Sequence, residues 1–170
     1  MSTRPTLLNG CAMAATAAEA RFRINGPDPS PRATRIIALD PPAAALISRA
    51  AQQRWQGAHF FTYEPGSPGV DGDGGPPDIV LRAPGGSRVR LSEALAGADM
   101  IVMVATAEDD AEAASVVGEI CGRLGIMTTG LVFGQGRAPT VVSVLRRHVR
   151  VLVVSGDEDD VPELLTALRA

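Results

Sequence analysis

The chain of 170 residues contains no lysine; all sixteen of its basic side chains are arginine. A Schiff-base enzyme, a lysine general base and a Walker-type phosphate loop each need that ammonium group, so all three are excluded. Aromatic residues make up only 4%, so the core must be built from Ala, Val, Leu and Ile. The cysteines are Cys11 and Cys121 and the histidines His59 and His148, with no Cys-x-x-Cys spacing. A zinc site needs four ligands and would consume every one of them. A disulfide framework is equally foreign to this length and count. Both cysteines therefore read as reduced thiols, and the expected location is cytoplasmic. No run reaches the ~18 apolar residues of a membrane span. Before Cys11 the only apolar pair is Leu7-Leu8, against the ~7–15 residues of an export signal. Net charge is −3, with no basic excess, which argues against nucleic acid as a partner.

What is present suits one soluble domain. Apolar residues reach 45% and charged residues 21%, an ordinary globular balance. Residues 1–33 read as a flexible N-terminal arm. Ala12 to Arg23 can turn helical, but Ile-Asn-Gly-Pro-Asp-Pro-Ser-Pro over residues 24–31 breaks any regular structure. Residues 34–170 form the single folded domain.

Apolar runs set the strands: Arg35 to Leu39, Ala58 to Tyr63, Met100 to Ala105, Ile126 to Phe133 and Arg150 to Val154, with Asp78 to Arg82 as an edge strand. Helices are expected between them. One runs from Ala43 to Gln56, capped by Asp40 and closed by Gly57, with proline tolerated in its first turn. Others cover Leu91 to Ala96, Ala111 to Leu124, Pro139 to Arg147 and Val161 to Arg169. Pro65 to Pro77, rich in glycine and proline, reads as a loop. Strands that are apolar throughout and alternate with helices predict an α/β fold: three Rossmann-like layers around a mostly parallel sheet.

In such a sheet ligands bind at the carboxyl ends of the strands. The loops to read therefore follow Leu39, Ala105, Phe133 and Val154, and the candidate pocket-lining residues are Asp40, Thr106, Glu108, Asp109 and Gly134. A phosphate site wants glycine there, so that backbone N–H groups can approach it. The first loop is instead Asp40-Pro41-Pro42-Ala43-Ala44, where two prolines delete two donors. The loop after the Met100 strand carries Glu108-Asp109-Asp110. One carboxylate about 5 Å from a phosphate charge costs about 3 kcal/mol at an effective dielectric near 20. A helix dipole returns only about 0.3–1 kcal/mol. Capping of the following helix, a magnesium site and a basic partner all remain open for this acidic run. Gly156-Asp157-Glu158-Asp159-Asp160 is a second acidic cluster, read as a cap for the last helix. Arg146, Arg147, His148 and Arg150 form a basic run at a helix C-terminus. Trp55 and Phe60 read as core rather than as a stacking platform.

The segment Leu91 to Phe133 resembles the FtsZ branch of the tubulin family. It reads Leu-Ser-Glu-Ala-Leu-Ala-Gly-Ala-Asp-Met-Ile-Val-Met-Val-Ala-Thr-Ala, then the acidic loop, then Ala-Ala-Ser-Val-Val-Gly-Glu-Ile-Cys-Gly-Arg-Leu-Gly-Ile-Met-Thr-Thr-Gly-Leu-Val-Phe. The likeness extends over about residues 34–160. It implies a tubulin-type nucleotide-binding domain with a sheet order resembling 3-2-1-4-5-6. The departures lie in the phosphate loops. The family's Gly-Gly-Gly-Thr-Gly-Thr-Gly signature is replaced by Glu108-Asp109-Asp110-Ala111-Glu112, and its first glycine loop by Asp40-Pro41-Pro42-Ala43-Ala44. No catalytic residue carries over, and the long central helix and the C-terminal domain of the family have no counterpart in these residues.

The expected function is that of a degenerate FtsZ-like domain without GTP binding or hydrolysis, acting as a protein-binding or regulatory module. The alternative is a small-molecule or nucleotide binder with a rebuilt pocket, metal-assisted on the acidic rim. No cofactor is expected, although GTP, GDP and magnesium stay open. A protein partner or a homo-oligomer also stays open, and neither nucleic acid nor membrane is expected as a partner.

Overall fold

The computed structural model describes residues 32–68, 79–106, 111–134, 139–168 and 170. Most of the expected arm, the tip of the glycine-proline loop and Glu108 to Asp110 lie outside them.

Among the described residues, seven strands make one sheet: β1 (Thr34–Ala38), β2 (Ala58–Pro68), β3 (Ile79–Arg82), β4 (Arg88–Arg90), β5 (Met100–Thr106), β6 (Met127–Phe133) and β7 (Val151–Ser155). Five helices, also among the described residues, flank it: α1 (Pro41–Ala50), α2 (Leu91–Leu95), α3 (Ala111–Leu124), α4 (Pro139–His148) and α5 (Val161–Ala167). The spatial order is β4-β3-β2-β1-β5-β6-β7. β1 lies parallel to β2 and β5, and β5, β6 and β7 continue in parallel. The fold is thus α/β, with a mostly parallel sheet between two helical layers.

The six-strand order expected above needs correction at one edge. Arg88–Arg90 adds an outer strand, so β3 is not an edge, and β3 and β4 form an antiparallel hairpin beside β2. The local reason is the turn at Pro84 to Ser87. Ala83 N–H donates to Ser87 O at 2.9 Å and Gly86 N–H to Ala83 O at 2.8 Å, a tight reversal that only antiparallel strands can use. β2 also runs past Tyr63 to Pro68, into residues expected to be loop. Its register with β3 shifts between Tyr63 and Pro68, the kind of irregularity that lets a strand accommodate proline. The first helix ends at Ala50, not at Gln56. Trp55 explains this: its indole N–H donates to Ala50 O at 2.9 Å and takes a carbonyl that a longer helix would use.

Alternation along each central strand divides the core. Ile37, Ile101, Met103 and Val132 point to the face covered by α2, α3 and α4. Ile36, Met100, Val102, Val104 and Phe133 point to the face covered by α1 and α5. Every residue of β5 from Met100 to Ala105 is fully buried, as the continuous apolar run requires for a central parallel strand. Trp55 packs against the second face, its ring 6.2 Å from that of Phe60, consistent with a core role.

The segment that carries the family resemblance has a local job. Asp99 binds the start of β1 twice: Ala33 N–H donates to Asp99 Oδ2 at 3.0 Å, and Asp99 N–H donates to Ala33 O at 2.9 Å. Arg35 donates from Nε to Ala94 O at 2.8 Å and from Nη2 to Ala96 O at 3.3 Å, closing the end of α2. Gly97 turns the chain there with φ +68°, a conformation that suits glycine. All of this lies at the amino edge of the sheet, opposite the edge where a ligand would sit.

Candidate functional site

The candidate site is the carboxyl edge of the parallel strands. Register brings its residues into line. Ala38 pairs with Val104 across β1 and β5, Thr106 with Phe133, and Phe133 with Ser155. Asp40, Thr106, Gly134 and Ser155 therefore follow one another along that edge. Of the sequence candidates, Asp40, Thr106 and Gly134 are placed there. Glu108 and Asp109 lie outside the described residues.

Asp40 is the centre of this edge. Its backbone is extended (φ −135°, ψ 162°), and its side chain caps α1. Ala43 N–H donates to Asp40 Oδ1 at 2.6 Å. The other carboxylate oxygen reaches across the sheet, where Thr106 N–H donates to Asp40 Oδ2 at 2.6 Å. Both bonds are short, as expected when the acceptor carries charge. The carboxylate is only 3% exposed, so these donors replace water rather than compete with it.

This arrangement consumes the donors an anion would need. A helix N-terminus holds an anion through the N–H groups of its first turn. In α1 the first two positions are Pro41 and Pro42, which have none. The third, Ala43, is committed to Asp40. Ala44 N–H donates to Asp40 O at 2.9 Å, the first intrahelical bond. The carboxylate of the chain itself thus stands against the helix end. The capping by Asp40 was legible in the sequence as an Asp before a proline-initiated helix. The cross-sheet bond to Thr106 was not, because it joins residues 66 apart.

Further along the edge, Gly134 N–H donates to Ser155 O at 3.1 Å. Ser155 Oγ donates to Asp160 Oδ2 at 2.7 Å and accepts from Asp157 N–H at 3.1 Å. Asp157 Oδ1 in turn accepts from Asp159 N–H at 3.0 Å. The second acidic cluster is therefore internally bonded and opens a short 3-10 turn at Glu158–Asp160 ahead of α5. Glu158 also meets Arg49 of α1 at 3.1 Å, an exposed pair beside a shallow pocket of about 130 Å³. That pocket is lined by Leu46, Arg49, Gln53, Glu158 and Pro162, and not by Asp40, Thr106 or Gly134. Among the described residues, no three His, Cys, Asp or Glu side chains gather as a metal-holding group.

Two titratable groups lie off this edge with shifted behaviour. Glu64 accepts from Arg82 and Arg88, and the hydrogen bond from Arg82 holds its carboxyl below the usual range. Burial pushes the Cys121 thiol up to about 11, which leaves it a neutral core group. Among the described residues, no helix is long and apolar enough to cross a membrane. Neither the protein-family models nor the curated proteins contain a match to this chain.

Proposed function

We propose that this chain is a degenerate FtsZ-like domain that binds neither GTP nor GDP and serves as a protein-binding or regulatory module. The observation that carries this reading is the Asp40 carboxylate. It is buried against the first turn of α1 and the Thr106 N–H, where a nucleotide phosphate would need bare donors. A phosphate brought to this edge meets a fixed negative charge and a helix start whose N–H groups are proline or already bonded. Repulsion of about 3 kcal/mol from one carboxylate exceeds what the helix dipole returns, about 0.3–1 kcal/mol. The edge has the shape of a nucleotide-binding sheet and the chemistry of a closed one. The resemblance in Leu91 to Phe133 supplies the ancestry in this reading.

The test is thermal unfolding with GTP, GDP, ATP or no nucleotide, each with and without magnesium. A bound ligand at about 100 times its dissociation constant adds about 2.7 kcal/mol. For a domain of this size that raises the midpoint by about 5–11 °C. The expected result is no shift under any condition. A shift with guanine nucleotides overturns the reading. A shift with magnesium alone moves the balance to a rebuilt acidic pocket.

A further inference from the structure

The two edges of the sheet are built differently. β4 is three residues long and carries Arg88 and Arg90, which suits an edge that must not pair with another chain. β7 reads Val-Leu-Val-Val-Ser, with no charge, no proline and no glycine. Two of its three valines are open, Val151 at 45% exposure and Val154 at 54%, while Val153 packs partly on the face covered by α1 and α5. An uncharged, valine-rich outer strand is a template for a further strand.

Its backbone groups face outward in a definite pattern. Arg150 N–H donates inward to Thr128 O at 2.9 Å. Successive residues of a strand turn their N–H and C=O to opposite sides, so Val151 and Val153 present theirs to the open side. Among the described residues nothing pairs with that side, since β7 ends the strand order.

The charges around β7 are ordered along it. Arg146, Arg147 and Arg150 stand exposed at its start, and Asp157, Glu158 and Asp159 stand exposed at its end. Among the described residues, only Glu158 of these six forms an ion pair. A strand that is basic at one end and acidic at the other is complementary to itself in antiparallel alignment. A parallel alignment would place like charges together.

We infer that β7 is a self-association edge: two copies of this chain pair β7 with β7 antiparallel, about a two-fold axis at Val153, into one continuous sheet. The inference deepens the binding-module reading above and rests on it, naming a second copy as the partner. A two-fold axis perpendicular to the sheet keeps each face on its own side. It sets Val153 opposite Val153 and Leu152 opposite Val154 of the second copy. Leu152 already packs on the face covered by α2, α3 and α4, so Val154 gains a covered apolar neighbour there. The Arg150 end of each copy comes to lie beside the Asp157 end of the other. Those exposed charges choose the orientation more than they set the affinity.

Sedimentation velocity of the full chain over a range of concentrations tests this, with far-UV circular dichroism confirming that each variant is folded. The wild type is expected to be a reversible dimer that weakens as salt rises, because the end charges are exposed. Val154→Lys puts an ammonium on each side of the joint and raises the dissociation constant by about tenfold or more, since each substitution acts twice across a two-fold axis. The side chain it replaces is exposed, so folding is unaffected. Arg150→Glu weakens the dimer as well. A wild type that stays monomeric throughout overturns the inference, as does a dimer indifferent to Val154→Lys. A dimer strengthened by Arg150→Glu overturns the antiparallel arrangement. Because sedimentation reads self-association and thermal unfolding with nucleotides reads the closed phosphate edge, failure of one is told apart from failure of the other.

Discussion

The carboxylate of Asp40 joins two strand ends, accepting the backbone N–H of Thr106 at 2.6 Å while it caps α1 through Ala43 at the same distance. One side chain therefore ties β1 to β5 at the edge where a nucleotide-binding sheet keeps its phosphates. Asp40→Ala removes both acceptors. Loss of the cap and an unsatisfied Thr106 N–H together cost about 2–4 kcal/mol. Asp40→Asn keeps one acceptor and is expected to lose about half as much. Urea denaturation of the three proteins checks the order. Equal stability of Asp40→Ala and wild type would remove the carboxylate from its structural role.

Close approach of α3 and α4 depends on Gly118. A Cβ there would lie 2.5 Å from both Cβ and Cγ of His148, so the helices must separate. Gly118→Ala should cost about 1–3 kcal/mol from overpacking. This exceeds the gain of about 1 kcal/mol that alanine brings to a helix. Because the clash includes His148 Cβ, His148→Ala does not relieve it, whereas His148→Gly does. Gly130 offers a contrast. Its added Cβ would come within 2.9 Å of Leu152 Cδ1, the movable end of a side chain, and a milder loss follows from Gly130→Ala. Unfolding midpoints of Gly118→Ala alone, of Gly118→Ala combined with His148→Ala or His148→Gly, and of Gly130→Ala separate these cases, and rescue by His148→Ala would contradict the geometry.

The β3–β4 hairpin is fastened to β2 through Glu64, which accepts from both Arg82 and Arg88. The hydrogen bond from Arg82 holds its carboxyl below the ordinary value of 4.5. A carboxylate lowered in the folded state stabilises it above the unfolded pKa and loses that contribution as pH falls through the folded one. The stability gap between wild type and Glu64→Gln should therefore be constant above about pH 4.5 and close below it. Denaturation curves taken at stepped acidic pH measure the gap. A gap that widens on acidification would reverse the sign.

Cys121 sits at 0% exposure on the α3 face of the sheet, its thiol pushed up to about 11 by burial. The thiolate is the reactive form, so native protein should leave Cys121 unmodified by alkylating reagents, with labelling appearing only as the chain unfolds. Above the unfolded value of 9.0 the unfolded chain releases this proton while the folded one keeps it. Stability is then expected to fall as pH rises from about 9 to about 11. Mass spectrometry after labelling across a denaturant series checks the first outcome. Rapid labelling of native Cys121 would place the thiol at the surface.

Much of the architecture was legible from hydrophobic runs alone. Met100 to Ala105 is apolar without a break, and only a strand covered on both faces accounts for that in an α/β pattern. Asp40 before two prolines announced its helix and its cap. Ala111 to Leu124 was readable from its apolar stripe, and the structure keeps both its ends. The misreadings share a cause. The end of α1 depends on Trp55, the bulged extension of β2 on its partner β3, and the strand Arg88–Arg90 on a turn whose neighbours are supplied by the sheet. Each is fixed by a partner distant in the chain, or by a pairing that a three-residue segment is too short to advertise.

The same division runs through the candidate site. Local sequence determined what the strand-end loops are made of: no glycine after Leu39, prolines where N–H donors would be, and acids after Thr106. Those choices follow from residue chemistry and need no fold to be read. Tertiary structure decided where the Asp40 carboxylate goes. Its second oxygen meets Thr106, 66 positions away, only because β1 and β5 lie side by side in register. The fold likewise left β7 at the rim, so that the run Val-Leu-Val-Val became an edge whose outer backbone groups pair with no other strand among the described residues. Periodicity and composition act over a few neighbouring residues and can be read in order. Strand adjacency is a long-range outcome of packing, and it alone turns a capping residue into a tie across the sheet.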